Sequence, residues 1–158
     1  MSGRGSTLAS ITLRLVGVWK LLSYTVEQEG QENSLAFGPE PEGFLIYTPE
    51  GFVSAQLMKP RRLLFRGHDW QGGTADEYQQ AGSGYIAYCG WYEVDEENET
   101  VTHTPSVALV PNLVLKPQLR LVTLGGERLT LRAVISTTNG AAATSRLEWQ
   151  RAGAKGIR

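Results

Sequence analysis

The stretch Tyr85 to His103, YIAYCGWYEVDEENETVTH, places the strongest constraint on how this chain can fold. Aromatic and β-branched residues fill both arms, with Asp95, Glu96, Glu97, Asn98 and Glu99 between them, which predicts two long antiparallel strands around an acidic turn. Alternation puts Tyr88, Gly90, Tyr92 and Val94 on one face of the first arm, and Val101, His103 and Pro105 on one face of the second. Glu93, Thr100, Thr102 and Thr104 take the faces that suit water. His103, one of two histidines in the chain, therefore points inward among phenols.

The flanking segments repeat the period of two. In LVGVWKLLSYTVEQ, Trp19, Leu21, Ser23 and Thr25 alternate with Lys20, Leu22, Tyr24 and Val26. Lys20 argues that Trp19 faces inward, so Ser23 and Thr25 fall on the inner wall, where a ligand cavity can use them and a solid core cannot. A polar loop from Glu27 to Glu42 precedes a hairpin of GFLIYT and FVSAQLM about the turn Thr48-Pro49-Glu50-Gly51. On its returning arm Ser54, Gln56 and Met58 oppose Val53, Ala55 and Leu57, and the pattern leaves the inner face open. Thr74-Ala75-Asp76-Glu77 is a capping box that opens a short helix to about Ala81. Pro105, Pro111 and Pro117 break the apolar run after His103 into an irregular or briefly helical crossover. QLRLVTL and ERLTLRAVI, joined at Gly125-Gly126, and TSRLEWQRA complete about eight strands. An all-β, closed antiparallel up-and-down barrel is expected ahead of a sandwich, because closure leaves no exposed edge.

The length of 158 residues suits one domain: a flexible segment 1–14 with a helical turn at Ile11 to Leu15, a barrel over 15–152, and a tail 153–158. A net charge of −1, from 15 basic and 16 acidic side chains, supplies no field for nucleic acid or an anionic membrane. The opening residues contain no apolar h-region, and no stretch approaches a membrane span. Cys89 is the single cysteine, so a reducing, cytoplasmic setting is expected. Small neutral molecules are the expected partners, and a homodimer is left open.

Leu15-Val16-Gly17-Val18-Trp19 contains a Gly-x-Trp strand opening, and Trp149-Gln150-Arg151 supplies an arginine on the last strand. Between them run Gly43-x-x-x-Tyr47-Thr48, Gly51-Phe52, Tyr85-x-x-Tyr88-x-Gly90-x-Tyr92, Val101-Thr102-His103, Pro111-Asn112 and Arg120. Over roughly residues 15 to 151 this set resembles the lipocalin-like domain family of small bacterial and fungal proteins. The resemblance implies a ligand-binding barrel in which Arg151 packs across Trp19 as a structural plug. It permits catalysis, since some such barrels in natural-product pathways are isomerases or cyclases.

His68, His103 and Cys89 are scattered, so no metal site is expected. Gly82-x-Gly84-x-x-Ala87 runs from helix into strand, the reverse of a dinucleotide fingerprint, and neither a Walker motif nor a nucleophile elbow occurs; no cofactor is expected. That leaves His103 as the candidate proton shuttle, since neutral imidazole can accept a proton near pH 7. Tyr88 and Arg120 are the candidates for polarising a ligand oxygen. Arg120 faces inward if Val122 and Leu124 do, and the resemblance favours that choice. Ser23, Tyr47, Gln56, Met58 and Tyr92 are candidate ligand-lining residues, and His68 is expected in a solvated loop. The first functional expectation is isomerisation or cyclisation of a small, largely apolar metabolite by acid–base and positional catalysis. The alternative is a carrier with the same cavity and no turnover; a filled barrel acting as an interaction module is a third.

Overall fold

A computed structural model of the protein describes residues 9–67, 69–136 and 140–153. In chain order these form α1 (Ile11–Leu15), β1 (Gly17–Glu27), β2 (Ser34–Leu35), β3 (Glu42–Tyr47), β4 (Phe52–Met58), α2 (Ala75–Ser83), β5 (Tyr85–Asp95) and β6 (Thr100–Ala108). A 3-10 turn at Pro111–Leu113 leads to β7 (Gln118–Gly125), β8 (Arg128–Ser136) and β9 (Ala142–Arg151). Neighbouring strands are antiparallel, and β1 pairs with β9 as well as β3, which closes β1 and β3 to β9 into an eight-stranded barrel. The short β2 continues the wall beside Thr25 and Val26, where β3 has already ended. Closure pairs both edges that an open sheet would expose.

Alternation governs the interior. Val53, Ala55 and Leu57 are buried while Phe52 is exposed, which settles the inner face of β4. Leu129, Leu131 and Ala133 are buried on β8, and Val101, His103 and Pro105 on β6. The capping box at the start of α2 is present in both directions: Thr74 Oγ1 accepts from Glu77 N at 3.3 Å, and Glu77 Oε2 accepts from Thr74 N at 2.7 Å.

Three expectations change. The register of β1 against β9 shifts between Leu21 and Ser23, so a bulge moves Ser23 and Thr25 off the inner face and turns Tyr24 inward, opposite Leu147. β6 continues through Pro105 to Ala108. The missing proline N–H costs little there, because β7 pairs with β6 only from Thr100 to His103. The close approach of β5 at that point needs Gly90, since a Cβ on it would lie 2.1 Å from the Thr104 carbonyl oxygen. The third change is in the loop 28–41, which carries β2 and buries Phe37 edge-on against Tyr24 at 5.4 Å between ring centroids. The readings made for His68 and for the outermost residues of both termini lie outside the described residues.

One end of the barrel is plugged. Gly17 has φ +129°, and a Cβ there would meet Arg151 Nη1 at 2.8 Å, so glycine alone allows the chain to pass under that guanidinium. Arg151 stacks over Trp19 at 4.1 Å and donates to the Val16 and Arg14 carbonyls, while Trp19 Nε1 donates to Leu15 O at 2.8 Å. The acidic β5–β6 turn holds the same plug from outside. Glu96 accepts from the Ile11 and Thr12 amides at 2.8 and 2.9 Å, filling the N-terminal donors of α1.

Candidate functional site

The other half of the barrel is hollow. A cavity of about 90 Å³ lies between the apolar residues Leu45, Leu57 and Leu131 and the polar residues Tyr88, His103 and Arg120. It is smaller than the roughly 150 Å³ apolar cavity that holds one benzene ring. A ligand must therefore widen it or extend beyond it, and the wall offers a place to do so. Pairing of β7 with β8 begins at Leu121–Arg132, yet β7 starts at Gln118 and β8 runs on to Ser136. Over that stretch β7 stays with β6 and β8 with β9, so the two strands part. Beside this split lies an outer hollow of about 840 Å³, and Arg120 and Ile135 line both spaces. Its rim carries Lys116, Arg120 and Arg132 and no carboxylate.

His103 is 1% exposed, and both ring nitrogens are engaged: Tyr47 Oη lies 2.6 Å from Nε2 and Tyr88 Oη 2.7 Å from Nδ1. A neutral imidazole has one N–H and one bare nitrogen, so one phenol donates to it and the other accepts from it. Burial decides which. Tyr47 is 1% exposed, does not line the cavity, and has no further hydrogen-bond partner for its hydroxyl among the described residues. Were it to accept from Nε2, its own proton would be stranded in the core, at a cost of about 1–3 kcal/mol. Tyr47 therefore donates to Nε2, Nδ1–H donates to Tyr88, and the Tyr88 hydroxyl proton is left to point at the cavity. Arg120 lines the same cavity and its charge favours the ionised form of Tyr88, against the effect of burial.

Burial, with the nearby Arg120 charge adding to it, pushes the His103 pKa down to about 3. Burial likewise raises Tyr88, opposed by Arg120, and holds Tyr47 well above the ordinary phenol range. Burial thus favours the neutral imidazole near pH 7. Its geometry fixes the hydrogen-bond direction of Tyr88.

The structure brings His103, Tyr88, Tyr47 and Arg120 together. Arg120 faces inward because Val122 is buried and Leu119 and Leu121 are exposed. Tyr92 packs edge-on against Tyr47 at 4.8 Å and donates to Thr48 O at 2.8 Å, behind the cavity wall. None of the five lining candidates borders the cavity: Tyr47 and Tyr92 lie behind its wall, and the other three face outward. Ser23 faces outward and donates to Glu148 Oε2 at 3.2 Å, a consequence of the bulge in β1. Gln56 and Met58 share the outer face of β4, where Gln56 accepts from Tyr85 Oη at 3.0 Å and Met58 Sδ lies 3.9 Å from Arg62 Nη1. Tyr24 and Trp149 line the cavity instead. Tyr24 was hidden by the bulge, which no alternation rule reveals. Trp149 was legible as an inward residue, but its indole N–H is a structural finding: it is the one buried side-chain polar atom among the described residues without a partner.

No helix of the described residues is long and apolar enough to cross a membrane, and no cluster of His, Cys, Asp and Glu among them could hold a metal ion. The sequence model of the lipocalin-like domain family matches residues 16–152. A curated protein of Aspergillus oryzae, a 4'-hydroxy-3'-methoxypropiophenone carrier protein, is 33% identical over 88 residues, which covers 52% of this chain and 79% of that protein.

Proposed function

The chain belongs to the lipocalin-like domain family, and from that premise we propose that it is a carrier for a small, largely apolar oxygenated metabolite of the kind made in natural-product pathways, working in the cytoplasm. The observation that carries this reading is the polar pole of the cavity. The Tyr88 hydroxyl proton and the Arg120 guanidinium face an otherwise apolar chamber with no carboxylate in its lining. Such a pole holds a ligand oxygen while Leu45, Leu57 and Leu131 remove the rest of the ligand from water. The relative described as a carrier of an aryl ketone supports the same reading.

Isomerisation or cyclisation is the second reading, and the pairing of Arg120 with Tyr88 favours it. A carbonyl oxygen bound there would be polarised, and a shaped chamber could hold a reactive conformer. Against it stands His103, whose neutral imidazole is a poor proton acceptor at pH 7. Turnover would have to rest on polarisation and positioning.

Native mass spectrometry of the protein purified from its own host tests the carrier reading. A bound small molecule is expected, and Arg120→Gln is expected to retain roughly tenfold less of it, the loss of a charge-assisted hydrogen bond. Protein that carries nothing and takes up nothing from a host extract would refute the proposal. Conversion of the released molecule by wild type, with Arg120→Gln inactive and His103→Gln still active, would move the assignment to the second reading.

A further inference from the structure

The polar groups around the cavity are unbalanced. Both nitrogens of His103 are occupied, and Ser145 Oγ donates to Ala133 O at 3.4 Å. What is left over is a set of donors. Among the described residues, the Tyr88 hydroxyl proton is free once Tyr88 accepts from His103, Arg120 has no carboxylate partner, and Trp149 Nε1–H has no acceptor. An indole N–H can only donate, as can a guanidinium. Neither the cavity lining nor the outer hollow contains an Asp or Glu.

Trp149 and Tyr88 sit at different levels. Trp149 pairs with Leu21 and Leu129, close to the plugged end, while Tyr88 lies opposite Ala108, toward the open end. Trp149 is 1% exposed, and it borders the cavity. Leaving a buried N–H without an acceptor is unfavourable, and native folds seldom do so. A ligand that widens the chamber and places an oxygen against Nε1 removes that defect.

Resting on the binding reading, we infer that the site selects an uncharged or anionic ligand with at least two oxygen acceptors at separated points: one, at its deep end, accepts from Trp149 Nε1–H, and the other accepts from Tyr88 and Arg120. Carbonyl and ether compounds of aromatic size fit this pattern. Ammonium ions do not, because the lining holds the Arg120 cation and no carboxylate.

The test uses the full chain and two compounds of similar shape, 4-methoxyacetophenone, with an oxygen at each end, and 4-ethyltoluene, with none. In 1H–15N spectra the Trp149 indole resonance is identified as the one lost in Trp149→Phe. It is expected to move downfield with 4-methoxyacetophenone and to stay near its free position with 4-ethyltoluene. Trp149→Phe should weaken binding of the first compound about fivefold, the value of one neutral hydrogen bond, and leave the second unchanged. If 4-methoxyacetophenone binds while the indole resonance stays still, the donor role of Trp149 is overturned and the carrier reading stands; that result needs no variant to fold. If the host-derived molecule binds and neither compound does, the ligand class is overturned. If nothing binds, both inferences fall.

Discussion

The barrel contains two buried tryptophans in opposite situations. Trp19, at the plugged end, donates to Leu15 O, lies under the Arg151 guanidinium, and is 0% exposed. Trp149, one strand away, is 1% exposed and its N–H meets nothing. The contrast extends to their surroundings. Around Trp19 the bends, caps and charges are all partnered: Gly17 admits Arg151, Arg151 also meets Glu127 at 3.4 Å, and Glu96 caps α1. Around Trp149 lie a cavity, the Arg120 cation with no counter-ion among the described residues, and a parted pair of strands. A saturated region can only be weakened by change. An unsaturated one is where a further molecule completes the structure.

The sharpest way to break this comparison is the same substitution at both tryptophans. Trp19→Phe strands the Leu15 carbonyl and removes the stack with Arg151, and should cost about 2–4 kcal/mol. Trp149→Phe removes a donor that had no partner, and its cost should stay within about 1 kcal/mol, set by packing alone. Urea unfolding of the two variants measures the difference directly; equal losses would mean that Trp149 is as structurally committed as Trp19.

Acid sensitivity is the next largest effect. The folded pKa of His103 is about 3, below the ordinary value of 6.5. At pH 7 both folded and unfolded chains hold it neutral. As pH falls through 6.5 the unfolded chain takes up a proton that the folded chain refuses, so stability drops until about pH 3. Between pH 6.5 and 4.5 the loss is on the order of 2 kcal/mol. Of the groups facing the imidazole, Tyr47 and Tyr88 have pKa values raised by burial and stay protonated through this window, and Arg120 supplies a nearby positive charge. Glu77, Asp95 and Glu96, whose hydrogen bonds lower their pKa values, lose their contributions only as pH falls below the ordinary carboxylate range. His103→Gln should flatten the upper part of the curve and leave the lower part intact. A variant with the wild-type slope between pH 6.5 and 5 would show that another group is responsible.

How much of this was legible in the sequence follows the same division. At the plugged end, alternation placed Trp19 inward and Gly17 marked the bend before it, whereas the stack of Arg151 on Trp19 was legible only through the family resemblance. The inward face of β5 and β6 was readable from alternation, and so was His103. The cavity lining was less so. A one-residue bulge at Leu22 exchanges Ser23 for Tyr24, and the β4 pattern of Ser54, Gln56 and Met58 against Val53, Ala55 and Leu57 is apolar enough on both faces to hide its orientation. The neutrality of His103 and the orphaned Trp149 donor depend on what surrounds them in three dimensions, so no spacing along the chain encodes them.

The smallest effect concerns the parted strands, and amide exchange reads it without altering any side chain. Residues 118–120 and 133–135 face one another across the split, whereas Val122–Leu131 and Leu124–Leu129 lie within the paired ladder. Amides on the facing edges therefore have no cross-strand acceptor, and they should exchange through local opening at low free-energy cost. Amides of the Val122 to Leu124 ladder should approach the exchange free energy of global unfolding. Because Arg120 and Ile135 border both the cavity and the outer hollow, a ligand that spans the two spaces would bridge this edge. Binding of 4-methoxyacetophenone should then slow exchange at 118–120 and 133–135 more than anywhere on β1 or β9 at the plugged end. Uniform slowing across the barrel would instead be the signature of mass action on global unfolding, and would remove the split from any part in ligand access.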